Sequence, residues 1–176
     1  MRVIAGEFRS RKLISTEGTD TRPTSDRLRE TLFNILGPNV EGSVFVDAYA
    51  GTGAVGIEAL SRGARHAIFI EKDLRAIGVI EKNLASMKLG SRSRVVKGAA
   101  PLHLGTLEAD FVFLDPPYAR EREYRASLDA LEAQPPALTI VQHSARFSLD
   151  EKYGPIRRTR YLKQGDNALS FFSRYP

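Results

Sequence analysis

A chain of 176 residues, with 26 basic and 21 acidic side chains and a net charge of +5, can bury the core of one domain without a disulfide or metal staple. It contains no cysteine, which excludes disulfides, thiol catalysis and thiolate metal sites and suits a reducing cytoplasm. No stretch approaches the roughly 20 apolar residues that span a bilayer, and the opening Met1-Arg2-Val3-Ile4-Ala5-Gly6 lacks the apolar run of a secretory signal, so a soluble cytoplasmic protein is expected.

Val3-Ile4-Ala5 and Lys12-Leu13-Ile14 read as the arms of a β-hairpin turned by Gly6 to Ser10. Its first twelve residues hold Arg2, Arg9, Arg11 and Lys12 against Glu7 alone. Residues 1–20 are set apart as a basic appendage, and 21–176 as the main domain. Arg22-Pro23-Thr24-Ser25-Asp26 then opens a helix. Thr24 or Ser25 can cap it, Asp26 suits the positive end of its dipole, and Leu28, Leu32 and Ile35 form a buried stripe before Gly37-Pro38 ends it.

From Val44 the pattern becomes strand, glycine turn, helix, repeated. Val44-Phe45-Val46 runs into Asp47, a helix spans 54–62, and Ala67-Ile68-Phe69-Ile70 ends at Glu71. A helix capped by Asp73 runs to about Leu89, with Ile77, Ile80, Leu84 and Met87 on one face. Strands follow at Arg94 to Gly98 and Phe111 to Leu114, the latter ending at Asp115. A charged helix over about 122–133 precedes a strand at Leu138 to Val141. Two last strands, 157–163 and 168–174, flank the turn Gln164-Gly165-Asp166-Asn167, and regular alternation puts Arg158 and Arg160 on one face. Near-continuous apolar strands alternating with helices predict an α/β, Rossmann-like, doubly wound sheet of seven mostly parallel strands, finished by a C-terminal antiparallel hairpin.

Two segments carry chemistry. Asp47-Ala48-Tyr49-Ala50-Gly51-Thr52-Gly53-Ala54-Val55-Gly56 is a glycine bend between strand and helix, where a ligand can approach the backbone, and Glu71 stands where a carboxylate can bind ribose hydroxyls. Alone, this fits a nicotinamide dehydrogenase or a methyltransferase. Asp47 would repel a pyrophosphate but suits the ammonium group of S-adenosylmethionine. The second segment, Asp115-Pro116-Pro117-Tyr118, follows the fourth strand. An exocyclic amine has its lone pair delocalised into the base, and two acceptors on its N–H bonds would localise that pair. Asp115 Oδ and the Pro116 carbonyl can be those acceptors, with proline-fixed φ limiting reorganisation, while the Tyr118 ring can stack on the base.

With these segments the chain resembles the RsmD family of 16S rRNA guanine-N2 methyltransferases over nearly its whole length. The resemblance rests on Arg2-Val3-Ile4-Ala5-Gly6 with Arg11-Lys12-Leu13, on Arg22 through Asn34, on Asp47 to Leu60, on Asp115 to Tyr118, and on Gly165 through Phe171. It implies a class I methyltransferase fold and cofactor contacts at Asp47, Ala50, Gly51, Gly53, Glu71, Lys72, Gly98, Ala99 and Asp115, with Arg22 and Thr24 closing over the methionine end. It also implies a partner in 16S rRNA within a 30S subunit or its assembly intermediate, met by a monomer. Relatives commonly carry Asp or Asn where this chain has Ala99, which shifts adenine recognition toward backbone groups, and Glu where this chain has Gln142.

The basic hairpin residues, Arg27, and Arg120 and Arg122 after the tetrapeptide are the candidate RNA contacts. His66, His103 and His143 are scattered, and no metal-ligand spacing occurs, so no metal is expected. Competing readings are an adenine-N6 or other amino-methyltransferase on DNA or another RNA, a non-catalytic RNA-binding or ribosome-assembly protein, and a nicotinamide oxidoreductase.

Overall fold

The structure, a computed structural model, describes residues 1–15 and 25–175. A single sheet of eight strands runs β3-β2-β1-β4-β5-β8-β7-β6. It comprises β1 (Val44–Asp47), β2 (His66–Glu71), β3 (Ser93–Lys97), β4 (Phe111–Leu114), β5 (Leu138–Ser144), β6 (Lys152–Tyr153), β7 (Ile156–Gln164) and β8 (Asn167–Arg174). The first five strands are mutually parallel, and β8, β7 and β6 each pair antiparallel with the preceding neighbour. The count exceeds the expected seven by β6, whose two residues are too short to leave a periodic signal. Strand order reverses between β1 and β4, the position at which open α/β sheets open a ligand crevice at their carboxyl edge.

Helices α1 (Asp26–Leu36), α2 (Ala54–Ser61) and α3 (Leu74–Ser86) cover one face, and α4 (Pro101–Leu104) and α5 (Glu121–Ala130) cover the other. Ser25 caps α1 by accepting from Leu28 N at 3.2 Å, and Gly37 ends it at φ +56°. Asp73 caps α3 through Arg75 N and Ala76 N, bonds that hold its carboxyl below the usual range. Leu28, Leu32 and Phe33 of α1 pack with Val55 and Ala59 against Phe45, Phe113 and Phe171. On the opposite face Tyr124 and Leu128 of α5 pack over Val112, Val141 and Phe172.

The N-terminal hairpin is narrower than the sequence pattern suggests. It keeps one bridge pair, Arg2 with Lys12, flanked by Val3 N to Arg11 O and Ser10 N to Val3 O. The arms part beyond that pair because their backbone is satisfied sideways by helix side chains. Ile4 N and Ala5 N donate to the Glu58 carboxylate at 2.8 and 3.0 Å, Phe8 N to Ser61 Oγ at 2.9 Å, and Ile14 N to Asn83 Oδ1 at 2.8 Å. Val3 and Leu13 join Ile57, Leu60, Ile80 and Leu84 in one apolar cluster. Arg29, fully buried on α1, donates through Nη2 to Arg2 O and to Asp26. Burial pulls its pKa down while Glu58 and Asp26 pull it up.

Candidate active site

The glycine bend leaves β1 at Asp47. That side chain is 1% exposed and accepts from Gly56 N at 3.0 Å, tying the strand end to the first turn of α2. Burial pushes its carboxyl up to about 7; the Gly56 N–H works against the shift and the Glu71 charge adds to it. Gly51 (φ +55°) and Gly53 (φ +80°) take left-handed conformations that the bend requires. A Cβ on Gly51 would meet nothing within 4 Å, so the face above the bend is open. Gly56 serves packing instead, since a Cβ there would lie 2.4 Å from the Phe69 ring.

Glu71 closes the far side of the bend. Its Oε2 accepts from Gly51 N at 2.9 Å, and its Oε1 from Lys72 N and Asp73 N at 2.8 and 2.9 Å. A carboxylate offers about four lone-pair sites, so this arrangement leaves room for a single further hydroxyl. The Lys72 ammonium points away to Glu123, 3.5 Å distant. Gly98, at φ +151°, donates to Glu71 O at 3.0 Å; that backbone conformation strains any L side chain, and a Cβ there would lie 2.3 Å from His103 Nε2 and displace that ring, so this turn favours glycine. Ala99 is half-buried beside it. Ala50 is anchored by donating to Ile70 O at 3.1 Å.

The tetrapeptide stands on the neighbouring strand. β1 and β4 pair with Asp47 opposite Phe113, and Ala48 N donates to Phe113 O at 3.0 Å, so Asp115 begins two residues beyond the pair that ends at Asp47. Paired strands lie ~4.8 Å apart, which brings the bend and the corner together at the switch point. Pro116 is buried and its carbonyl accepts from the Tyr124 hydroxyl at 3.2 Å. Burial, then the Asp115 charge, push the Tyr124 pKa up and keep that hydroxyl a donor. Tyr118, 40% exposed, donates to Asn167 Oδ1 at 2.5 Å and accepts from Gln142 Nε2 at 3.3 Å. Its hydroxyl is thus held from β5 and β8.

Tyr124, Asn167 and the role of Gln142 were not legible as site features in the sequence. Gln142 stood out only as a departure, and Asn167 only as part of a turn.

Arg2, Arg9, Arg11 and Lys12 are exposed on the hairpin, over α2 and α3, where Arg2 donates to Ser10 O and Arg11 to Ser86 O. Arg120 and Arg122 head α5 on the opposite side of the sheet, and Arg120 pairs with Glu123 at 2.9 Å. The expected RNA contacts therefore do not form one patch. Arg27 lies exposed in the first turn of α1, while Arg22 and Thr24 lie outside the described residues. His143 is buried between Ser170 Oγ and Ser144 O, and burial lowers its pKa. Among the described residues no group of three potential ligands could hold a metal ion, and no helix is long and apolar enough to cross a membrane.

A family model described as "Conserved hypothetical protein 95" matches residues 1–173. The chain belongs to that family. The match agrees with the RsmD resemblance, because the family's relatives include Ribosomal RNA small subunit methyltransferase D of Escherichia coli strain K12. That protein is 45% identical over 123 residues, covering 68% of this chain and 61% of the relative. The Bacillus subtilis protein YlbH, provisionally named an rRNA methyltransferase, is 34% identical and covers 99% of both chains. A solved Escherichia coli structure, the provisionally named methyltransferase yhhF, superposes with a TM-score of 0.85 at 36% identity, over 99% of this chain and 97% of that one.

Proposed function

We propose that the protein transfers a methyl group from S-adenosylmethionine to the exocyclic N2 amine of a guanine in 16S rRNA. The observation that carries this reading is the placement of Asp115-Pro116-Pro117-Tyr118 and the glycine bend on adjacent parallel strands at the switch point. Residues present in the crevice fit the cofactor. The face above Gly51 is open, and Asp47 is a buried carboxylate with no basic partner among the described residues, a place for a ligand ammonium. Two carboxylates flanking the bend disfavour a pyrophosphate.

In this reading Asp47, Ala50, Gly51, Gly53 and Glu71 hold the cofactor's amino-acid and ribose parts, Gly98 and Ala99 its base, and Arg22 and Thr24 its methionine end. Lys72 only orients Glu71, through its backbone N–H. When bound, S-adenosylmethionine supplies a methyl group electrophilic enough for direct displacement. The protein aligns the nucleophile. Asp115 Oδ and the Pro116 carbonyl accept the two amine N–H bonds and localise the nitrogen lone pair, and the Tyr118 ring stacks on a base drawn out of its helix. Tyr124 occupies one lone pair of the Pro116 carbonyl, which fixes that acceptor while leaving its second lone pair. After transfer the surplus amine proton leaves to Asp115 or to water. The RNA partner is a 30S subunit or its assembly intermediate, engaged by a monomer.

The raised Asp47 pKa gives a test with a definite sign. Below about pH 7 the folded protein holds that proton, and a ligand ammonium favours the ionised form, so binding near neutrality releases a proton and affinity falls as pH drops. Titration calorimetry in buffers of different ionisation enthalpy should show S-adenosylmethionine binding with fractional proton release at pH 7 and net proton uptake at pH 9, where the free ligand's α-amine is largely neutral and must regain its proton to pair with Asp47, and NAD giving no heat. Binding of NAD in preference to S-adenosylmethionine would overturn the cofactor assignment.

The hairpin's role is tested by charge. Changing Arg9, Arg11 and Lys12 together to Gln should weaken RNA binding and flatten log affinity against log salt by about two to three units of slope. An unchanged slope would make the hairpin purely structural.

A further inference from the structure

Beside the proposed active site lies a cleft of about 250 Å³ lined by His143, Arg146, Phe147, Ser148, Arg158 and Tyr161. That is smaller than the ~300–1,000 Å³ of pockets that engulf a drug-sized ligand, so it suits one nucleotide's base or phosphate rather than a second cofactor. Its construction depends on an irregularity in β7. Arg158 pairs with Phe172, but Phe171 is met by Arg160 instead of Thr159, so one extra residue is inserted. In a regular strand Arg158 and Tyr161, three apart, would face opposite sides of the sheet. The bulge turns both into the cleft, and it sends Arg160 to the other face, where its guanidinium lies 5.9 Å over Phe171. The expectation that Arg158 and Arg160 share a face fails for this reason. Bulges recur beside functional sites because they re-aim side chains in this way.

The cleft joins cation and aromatic surface. Arg146 is exposed and has no acidic partner among the described residues. Arg158 is partly engaged, by Leu149 O at 3.4 Å and Glu151 at 3.5 Å. Tyr161 is 46% exposed, with its ring 6.2 Å from His143, which Ser170 and Ser144 hold in the floor. The wall continues to the tetrapeptide, since Phe147 packs 5.1 Å from Tyr124, whose hydroxyl holds the Pro116 carbonyl. On the other side Gln142, next to His143, holds Tyr118.

We infer that this bulge-built cleft binds a nucleotide of single-stranded RNA adjoining the target base, stacking its base on Tyr161 and pairing its phosphate with Arg146 and Arg158. The proposal deepens the methyltransferase reading and rests on it for the identity of the target. A base drawn out to Tyr118 leaves its neighbours unstacked, and a stacking platform beside the cation Arg146 and the partly engaged Arg158 is the kind of surface that single strands use.

The test is fluorescence anisotropy of a labelled single-stranded oligoribonucleotide, run across a salt series, on the wild type, Tyr161→Phe, and the double variant Arg146→Ala with Tyr161→Ala. Both positions are exposed, so melting temperatures should match the wild type. The double variant should bind at least tenfold more weakly with a shallower salt slope, and Tyr161→Phe, which keeps the ring, should bind nearly as the wild type does. In methylation assays the double variant should raise KM for the rRNA particle and leave kcat and S-adenosylmethionine affinity unchanged.

Oligonucleotide affinity and slope equal to wild type in the double variant would overturn the cleft assignment. So would lost affinity for the particle with unchanged oligonucleotide affinity, which would make the cleft a protein contact. A wild-type protein that neither binds S-adenosylmethionine nor methylates RNA, while its oligonucleotide binding still depends on Arg146 and Tyr161, would sink the methyltransferase reading and leave the cleft standing.

Discussion

Replacing Asp115 by Ala is expected to lower methyl transfer by about 10²–10³ while S-adenosylmethionine still binds, because the change removes one of two acceptors that meet the amine as its lone pair localises. The corner itself should survive the change. Its shape comes from Pro116 and Pro117, from burial of Pro116, and from the Tyr124 hydroxyl on the Pro116 carbonyl. Asp115→Asn separates two roles for the carboxylate. An amide retains an oxygen acceptor but is a poor base, so substantial activity in Asn with little in Ala assigns Asp115 to gripping the amine. Equal loss in both would assign it to proton removal, and near-normal turnover in Ala would remove Asp115 from the mechanism.

The second large effect is on stability. Glu58 is fully buried in α2 and accepts from Ile4 N, Ala5 N and Arg62 Nε, at 2.8, 3.0 and 2.8 Å. It also offsets the charge of buried Arg29. Glu58→Ala leaves two backbone donors unpaired and strips buried Arg29 of one of its two compensating carboxylates, leaving Asp26 alone, a loss of about 3–5 kcal/mol. For a chain of this size that corresponds to a fall in Tm of roughly 6–20 °C. Glu58→Gln keeps one acceptor oxygen and should fall between. Thermal melting decides the matter, and a Tm for Glu58→Ala within 2 °C of wild type would show that the hairpin is held by Val3, Leu13 and the Ser61 and Asn83 bonds without help from Glu58.

These two residues also mark what could be read from the sequence. Asp115 was legible because it closes an apolar strand and is followed by two prolines and a tyrosine, a local pattern with its own chemical logic. The parallel core, the glycine bend and the C-terminal hairpin were legible for the same reason, since period and turn chemistry are local signals. Glu58 was not read, although a lone acid inside the apolar run Ala54-Val55-Gly56-Ile57-Glu58-Ala59-Leu60 is a signal that it needs buried donors. Its backbone partners lie more than fifty residues away, and no periodicity encodes them.

The β7 bulge was hidden in the same manner. Nothing in Arg157-Arg158-Thr159-Arg160-Tyr161 marks an inserted residue; the shift appears only when β7 is paired against β8. Tyr124 was read as one residue of a charged helix, yet α5 packs so that its hydroxyl reaches the Pro116 carbonyl.

The most direct measurement of the central claim is mass spectrometry of 16S rRNA after the purified protein has been given labelled S-adenosylmethionine with 30S particles lacking the modification. Label is expected at one nucleotide, as N2-methylguanine. Label as N6-methyladenine, or no label in 30S particles, naked 16S rRNA or 70S ribosomes, would contradict it.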